Sequence, residues 1–164
     1  YFRHFTSRRS RVQVVGADRS TKKLLEEALR IRDLGTFDYK WLVFDKDDNE
    51  DFNEAIQLAE KAGFQCAWSN ESFELWFCLH FIDLRTSVSR RQYIDILERE
   101  IRRYVPEFTY KKGGDVMHEI LRKYGSQENA VLRAQNLRLA YSGTDYASHN
   151  PCTTVDVLVD KLKK

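Results

Sequence analysis

The segment KWLVFD, residues 40–45, constrains the fold more than any other stretch of this chain. Its apolar residues are consecutive rather than alternating, so a strand there has no polar side to give to water. Such a strand must be covered on both faces, as in a parallel sheet packed between helices. The flanking sequence supplies those helices. Ser20 or Thr21 can cap one carrying Leu24, Leu25, Ala28 and Leu29 on a single face, and Phe52, Ala55, Ile56 and Ala59 recur at helical spacing before a stop at Gly63. RVQVVGA (11–17) and FQCAW (64–68) read as two further strands. Alternation of strands and helices through short turns predicts an α/β fold, with a small parallel sheet and right-handed crossovers.

From about residue 71 the chain turns helical. ESFELWFCLHFIDL holds nine apolar residues in fourteen, spread around the whole axis, which predicts a helix buried on most sides. Ser89 and Gln92 have the spacing of a capping box, opening a helix with Ile94, Leu97, Ile101 and Tyr104 inward. Further helices are expected over 115–124 and 127–141 and from Thr154, where Val155, Leu158, Val159 and Leu162 line one face. The 164 residues make one domain, with an α/β core over 1–84 and a helical extension over 85–164.

Composition excludes little else. A net charge of +2 gives no global argument for nucleic acid, but residues 1–17 hold Arg3, Arg8, Arg9 and Arg11 without balancing acids before Asp18, and 85–112 hold eight Lys or Arg against four acids. These clusters, with Arg90 and Arg91 in the second, are either phosphate-facing patches or solvated faces. Cys66, Cys78 and Cys152 are odd in number and lack metal-ligand spacing, so they read as reduced, packed thiols of a cytoplasmic protein. No membrane span or signal peptide is visible.

The chemistry is concentrated where the first apolar run ends. Asp45, Asp47 and Asp48 fall within four residues, and their repulsion asks for a positive partner. At the carboxyl end of a parallel strand, where α/β sheets bind ligands, Asp45 and Asp47 point the same way if the chain stays extended. Two converging carboxylates suit a hard cation such as Mg²⁺. An acidic turn that complements a helix dipole, with Asp48 or Asn49 as cap, accounts for the same residues. A calcium EF-hand does not, because Glu50 and Ile56 stand where its Gly and Glu belong. A phosphatase-type turn with Asp45 as nucleophile lacks the usual Thr or Val at Asn49. In the apolar helix, Glu74 and His80 are polar positions about 120° apart around the axis, too divergent to chelate one ion together. Each either hydrogen-bonds a neighbouring loop or, for Glu74 and Asn70, faces the same sheet edge as Asp45.

VFDKDDN followed by SNESFELWFCLHF resembles the RloB-like family of bacterial proteins, in which a strand ending FDxD precedes SNPxFELWLLLHF; Glu71 stands here at the family's usual Pro. Tyr110 and Lys112 resemble its Tyr-x-Lys element, Ala130 and Ala134 its spaced alanines, and NPCTTVDVLVDKL (150–162) its closing motif, so the likeness spans nearly the whole chain. The resemblance implies a TOPRIM-like core in which Asp45 and Asp47 form an Asp-x-Asp pair on Mg²⁺ or Mn²⁺. On that reading Asp45 and Asp47 are catalytic carboxylates, Glu74 is taken with them from its place at the same sheet edge, and Lys46, Asp48, Asn70, His80 and Lys112 are expected in support. Arg8, Arg9, Arg11, Arg90 and Arg91 would meet the phosphate backbone of DNA or RNA. The family's Glu-Gly-x-x-Thr-Glu segment precedes a Tyr-Phe pair, and Tyr1-Phe2 open this sequence, so the first strand and that Glu are expected outside it. The implied function is metal-dependent nuclease action in phage defence or abortive infection, beside an ATPase encoded nearby. The alternative is a non-catalytic binding or sensor module docking on such an ATPase.

Overall fold

A computed structural model describes residues 1–5, 13–16, 21–31, 33–113 and 116–163. The run at 41–45 becomes strand β1 (Trp41–Asp45), paired in parallel with β2 (Gln65–Asn70) from Trp41 opposite Gln65 to Asp45 opposite Ser69. Trp41 and Val43 pack toward one apolar cluster while Leu42 and Phe44 pack toward another, so β1 is covered on both faces, as its unbroken apolar run requires. On the Leu42 side lie α1 (Thr21–Leu29) and α2 (Phe52–Lys61), which contribute Leu25, Ala28 and Ala59. Thr21 is itself helical, the first described residue of α1, rather than its cap, and its hydroxyl donates to the Asp51 carboxylate; Ser20 lies outside the described residues.

The opposite face carries the main core, built on α3 (Glu74–Leu79), α4 (Arg90–Arg102), α5 (Val116–Tyr124), α6 (Gln127–Arg138) and α7 (Val155–Leu162). Every residue of α3 is buried, which explains a helix with no polar stripe. It is shorter than its apolar sequence predicts, because 82–89 form a non-helical connection. The expected capping box is present: Ser89 accepts from the Gln92 amide, and the Gln92 side chain accepts from the Ser89 amide. Tyr93, Leu97 and Ile101 form the inward face of α4, while Tyr104 lies beyond its end and is exposed.

Two expectations for the sheet are corrected. Residues 13–16 lie in no strand and are exposed, Val15 at 57%, because Val14 and Val15 without a covering layer or a paired neighbour do not make a strand; 11, 12 and 17 lie outside the described residues. The third strand among the described residues is β3 (Cys152–Thr153), antiparallel to β2 in the order β1-β2-β3. Two residues carry no readable periodicity. Side chains hold the pairing instead: Trp68 donates its amide to Thr154 Oγ1 at 2.9 Å, Thr153 Oγ1 donates to the Trp68 carbonyl at 3.0 Å, and the Ser69 and Thr153 hydroxyls meet at 2.8 Å. The sheet is thus mixed rather than wholly parallel. Among the described residues no helix is long and apolar enough to cross a membrane. The three cysteines are free, and burial pushes the Cys66 thiol up to about 12 and the Cys152 thiol to about 11, so neither is a thiolate near neutrality.

Candidate active site

The pleat of β1 aims Asp45 at the main core, since Asp45 shares a face with Trp41 and Val43. The chain then leaves the sheet abruptly. The Lys46 amide donates to the Ser69 carbonyl at 2.9 Å and the Asp47 amide to the Glu71 carbonyl at 3.0 Å, so the turn rides on the end of β2. Asp47 takes a left-handed conformation, φ 41°, not the extended one that sequence reasoning assumed. Asn49 braces the turn by donating its side-chain amide to the Lys46 carbonyl at 3.1 Å, and Lys46 Nζ donates to the Asp47 carbonyl at 2.9 Å. The two carboxylates still converge. Arg90 Nη2 lies 3.3 Å from Asp45 Oδ2 and Nη1 lies 3.0 Å from Asp47 Oδ2, so one guanidinium bridges both.

Glu74 opens α3 just past β2 and is only 4% exposed. Its Oε1 accepts from the Tyr110 hydroxyl at 2.8 Å. Tyr110 is held over the site from α4: its amide donates to Glu98 Oε1 at 2.8 Å, and Arg102 Nε donates to the Phe108 carbonyl at 2.9 Å. Burial, and next repulsion from Glu74, push the Asp45 carboxyl up to about 6, while Arg90 and Lys112 pull it back and Asp47 adds a smaller push. Burial and the Glu74 carboxylate likewise hold the Tyr110 hydroxyl protonated, above its ordinary range. The result is an acidic cluster in which three carboxylates face two main cations, Arg90 and Lys112.

The other sequence-derived candidates fall in different places. Asp48 is exposed on the turn, and Lys46 is half-buried against its own turn. Asn70 is buried and turned elsewhere, donating to the Ala147 carbonyl at 2.9 Å. His80 is at the opposite end of α3 from Glu74, with its Nδ1–H donating to the Trp76 carbonyl at 3.0 Å. Arg91 is exposed on the first turn of α4, and Arg8, Arg9 and Arg11 lie outside the described residues. Sequence reasoning missed Tyr110 as a member of the site and the bridging position of Arg90. The Tyr-x-Lys spacing was a signal for Tyr110, whereas nothing local marks Arg90. Glu71, the departure from the family's Pro, accepts from the Arg90 amide at 3.3 Å and so helps seat the start of α4.

A divalent cation can be tested against this donor set. Among the described residues no group of three or more His, Cys, Asp and Glu is placed to hold a metal. Asp45 and Asp47 nevertheless converge on one cationic group, and Mg²⁺ ordinarily takes one or two carboxylates and keeps several waters. The residues fit a water-rich, two-carboxylate ion of that kind, not an all-protein cage.

No curated protein and no solved structure matches the chain. A family model described as RloB-like protein matches residues 1–162, from the aromatic pair at the start through the acidic turn, the buried α3 and the closing helix. The chain belongs to the RloB-like family.

Proposed function

We propose that the chain is a Mg²⁺- or Mn²⁺-dependent, TOPRIM-like nuclease that cuts DNA or RNA in phage defence. The observation that carries this reading is the convergence of Asp45 and Asp47 on a single cation at the carboxyl end of β1, with the buried Glu74 beside them. A bound divalent ion supplies Lewis-acid polarisation of a phosphoryl oxygen. The chain's own groups do the rest. Asp45 and Asp47 hold the ion, Glu74 accepts or returns a proton at its free oxygen, and Tyr110 fixes Glu74 through the other. Lys112, Arg90 and the exposed Arg91 attract the phosphate backbone.

Asp45→Ala and Asp47→Ala are expected to lose metal-dependent cleavage of DNA or RNA while keeping the wild-type circular dichroism spectrum. Cleavage that persists in both variants removes the reading. The second reading, a non-catalytic module docking on an ATPase encoded nearby, is favoured by Arg90, whose guanidinium already bridges Asp45 and Asp47. It predicts association with such an ATPase without cleavage in either metal.

A further inference from the structure

We infer that Arg90 is the resident counter-ion of the divalent-cation position, so that its guanidinium and a metal ion hold Asp45 and Asp47 in turn and the site admits metal only as Arg90 leaves. This inference rests on the metal-binding reading of the Asp45–Asp47 turn.

The geometry supports an exchange rather than a permanent pair. Both terminal nitrogens of Arg90 are spent on the two carboxylates, at 3.3 and 3.0 Å, which is the position a shared cation would need. Its Nε is buried without a hydrogen-bond partner, so the present arrangement leaves a donor unsatisfied and is an imperfect resting place for a guanidinium. The side chain is one-third exposed, which gives it a way out toward water. Its backbone has no need to follow, because the Ser89–Gln92 capping box and the Glu71 carboxylate pin the start of α4. Neither neighbouring lysine takes over the same position. Lys46 Nζ is engaged with the Asp47 carbonyl, and Lys112 acts on Asp45 without bridging the pair. Without Arg90, Asp45 and Asp47 would repel each other and Glu74 would add to that repulsion, so a second cation is the natural replacement.

The test is Mn²⁺ binding, followed by the electron paramagnetic resonance signal of free Mn²⁺, with the full chain and the Arg90→Gln, Arg90→Lys and Asp47→Asn variants. Circular dichroism confirms that each is folded. Removing a positive charge a few ångströms from the ion should tighten binding by about tenfold or more in Arg90→Gln. Arg90→Lys, a point charge on a flexible stem, should fall between that variant and wild type. Asp47→Asn should weaken binding in both the wild-type and Arg90→Gln backgrounds. If Arg90→Gln binds Mn²⁺ no tighter than wild type while Asp47→Asn still weakens it, Arg90 is not the competing ion and the metal reading stands. If neither wild type nor Arg90→Gln binds Mn²⁺, the metal reading falls and this inference with it.

Discussion

At the scale of single residues, the two polar positions of α3 part company. Glu74 joins the acidic cluster at the end of β1, whereas His80 is 4% exposed and packs its ring edge-on against Trp76. Burial, with smaller contributions from Arg133 and Lys163, lowers the His80 imidazole to about 4, and its bond to the Trp76 carbonyl only partly opposes this. The folded chain therefore holds a neutral His80 at a pH where the unfolded chain, near 6.5, already binds a proton. Its contribution to stability is complete above about pH 6.5 and is lost as the pH falls toward 4. Between pH 7 and pH 5 the loss is about 2 kcal/mol. Urea unfolding at the two pH values should show a drop smaller by about that amount in His80→Gln, whose amide can still donate to Trp76. Equal drops in the two proteins would mean that His80 titrates normally. His80 and Glu74 were both visible as anomalies in an apolar helix. Their different fates were not, because the helix sequence does not say what stands at each end.

At the scale of elements, α4 does the positioning. Its first turn brings Arg90 to the carboxylates, and Glu98 and Arg102 farther along hold the segment that delivers Tyr110 to Glu74. The cap at its start was legible because Ser89 and Gln92 carry their own signal three residues apart. Ser89→Ala should cost about 1 kcal/mol in urea unfolding, while Ser89→Asp, which keeps an acceptor for the Gln92 amide, should remain within a few tenths of wild type. If Ser89→Ala is neutral, the capping box is not what fixes the start of α4. By contrast β3 was not legible. Cys152 and Thr153 have no strand pattern of their own and are a strand only because β2 and the hydroxyls of Ser69, Thr153 and Thr154 are there to meet them. Residues 13–16 show the reverse, with Val14 and Val15 strand-like in sequence and no strand there.

At the scale of the whole molecule, α7 is tied to α6 and the sheet through an ion pair whose carboxylate is buried. Arg138 on α6 forks onto the Asp156 carboxylate on α7, with Nη2 2.6 Å from Oδ2, and Nη1 also donates to the Thr153 carbonyl of β3 at 2.7 Å. Asp156 is 1% exposed whereas Arg138 is half-buried, so it is removal of Arg138 that strands a charge away from water. Arg138→Met should lower stability by about 3 kcal/mol, and the double variant Arg138→Met, Asp156→Leu should recover much of that loss. A double variant as unstable as Arg138→Met would show that the geometry of the fork, rather than the stranded carboxylate, sets the cost. The main apolar cluster follows the same logic, since it draws on Ala67 and Leu75 as well as Leu97, Ala130 and Val159.

What the sequence determined by itself is whatever depends on neighbours a few residues away: a two-sided apolar strand, amphipathic helices with their caps, and an acidic turn whose carboxylates ask for a positive partner. Only the tertiary structure decided which cation that is, which side of the sheet the turn faces, and which residues join it. Asp45 meets Arg90 across 45 positions and Glu74 meets Tyr110 across 36. Contacts that distant leave no periodicity in the chain. They form because covering both faces of β1 brings the ends of α3 and α4 to the edge where its last carboxylate emerges.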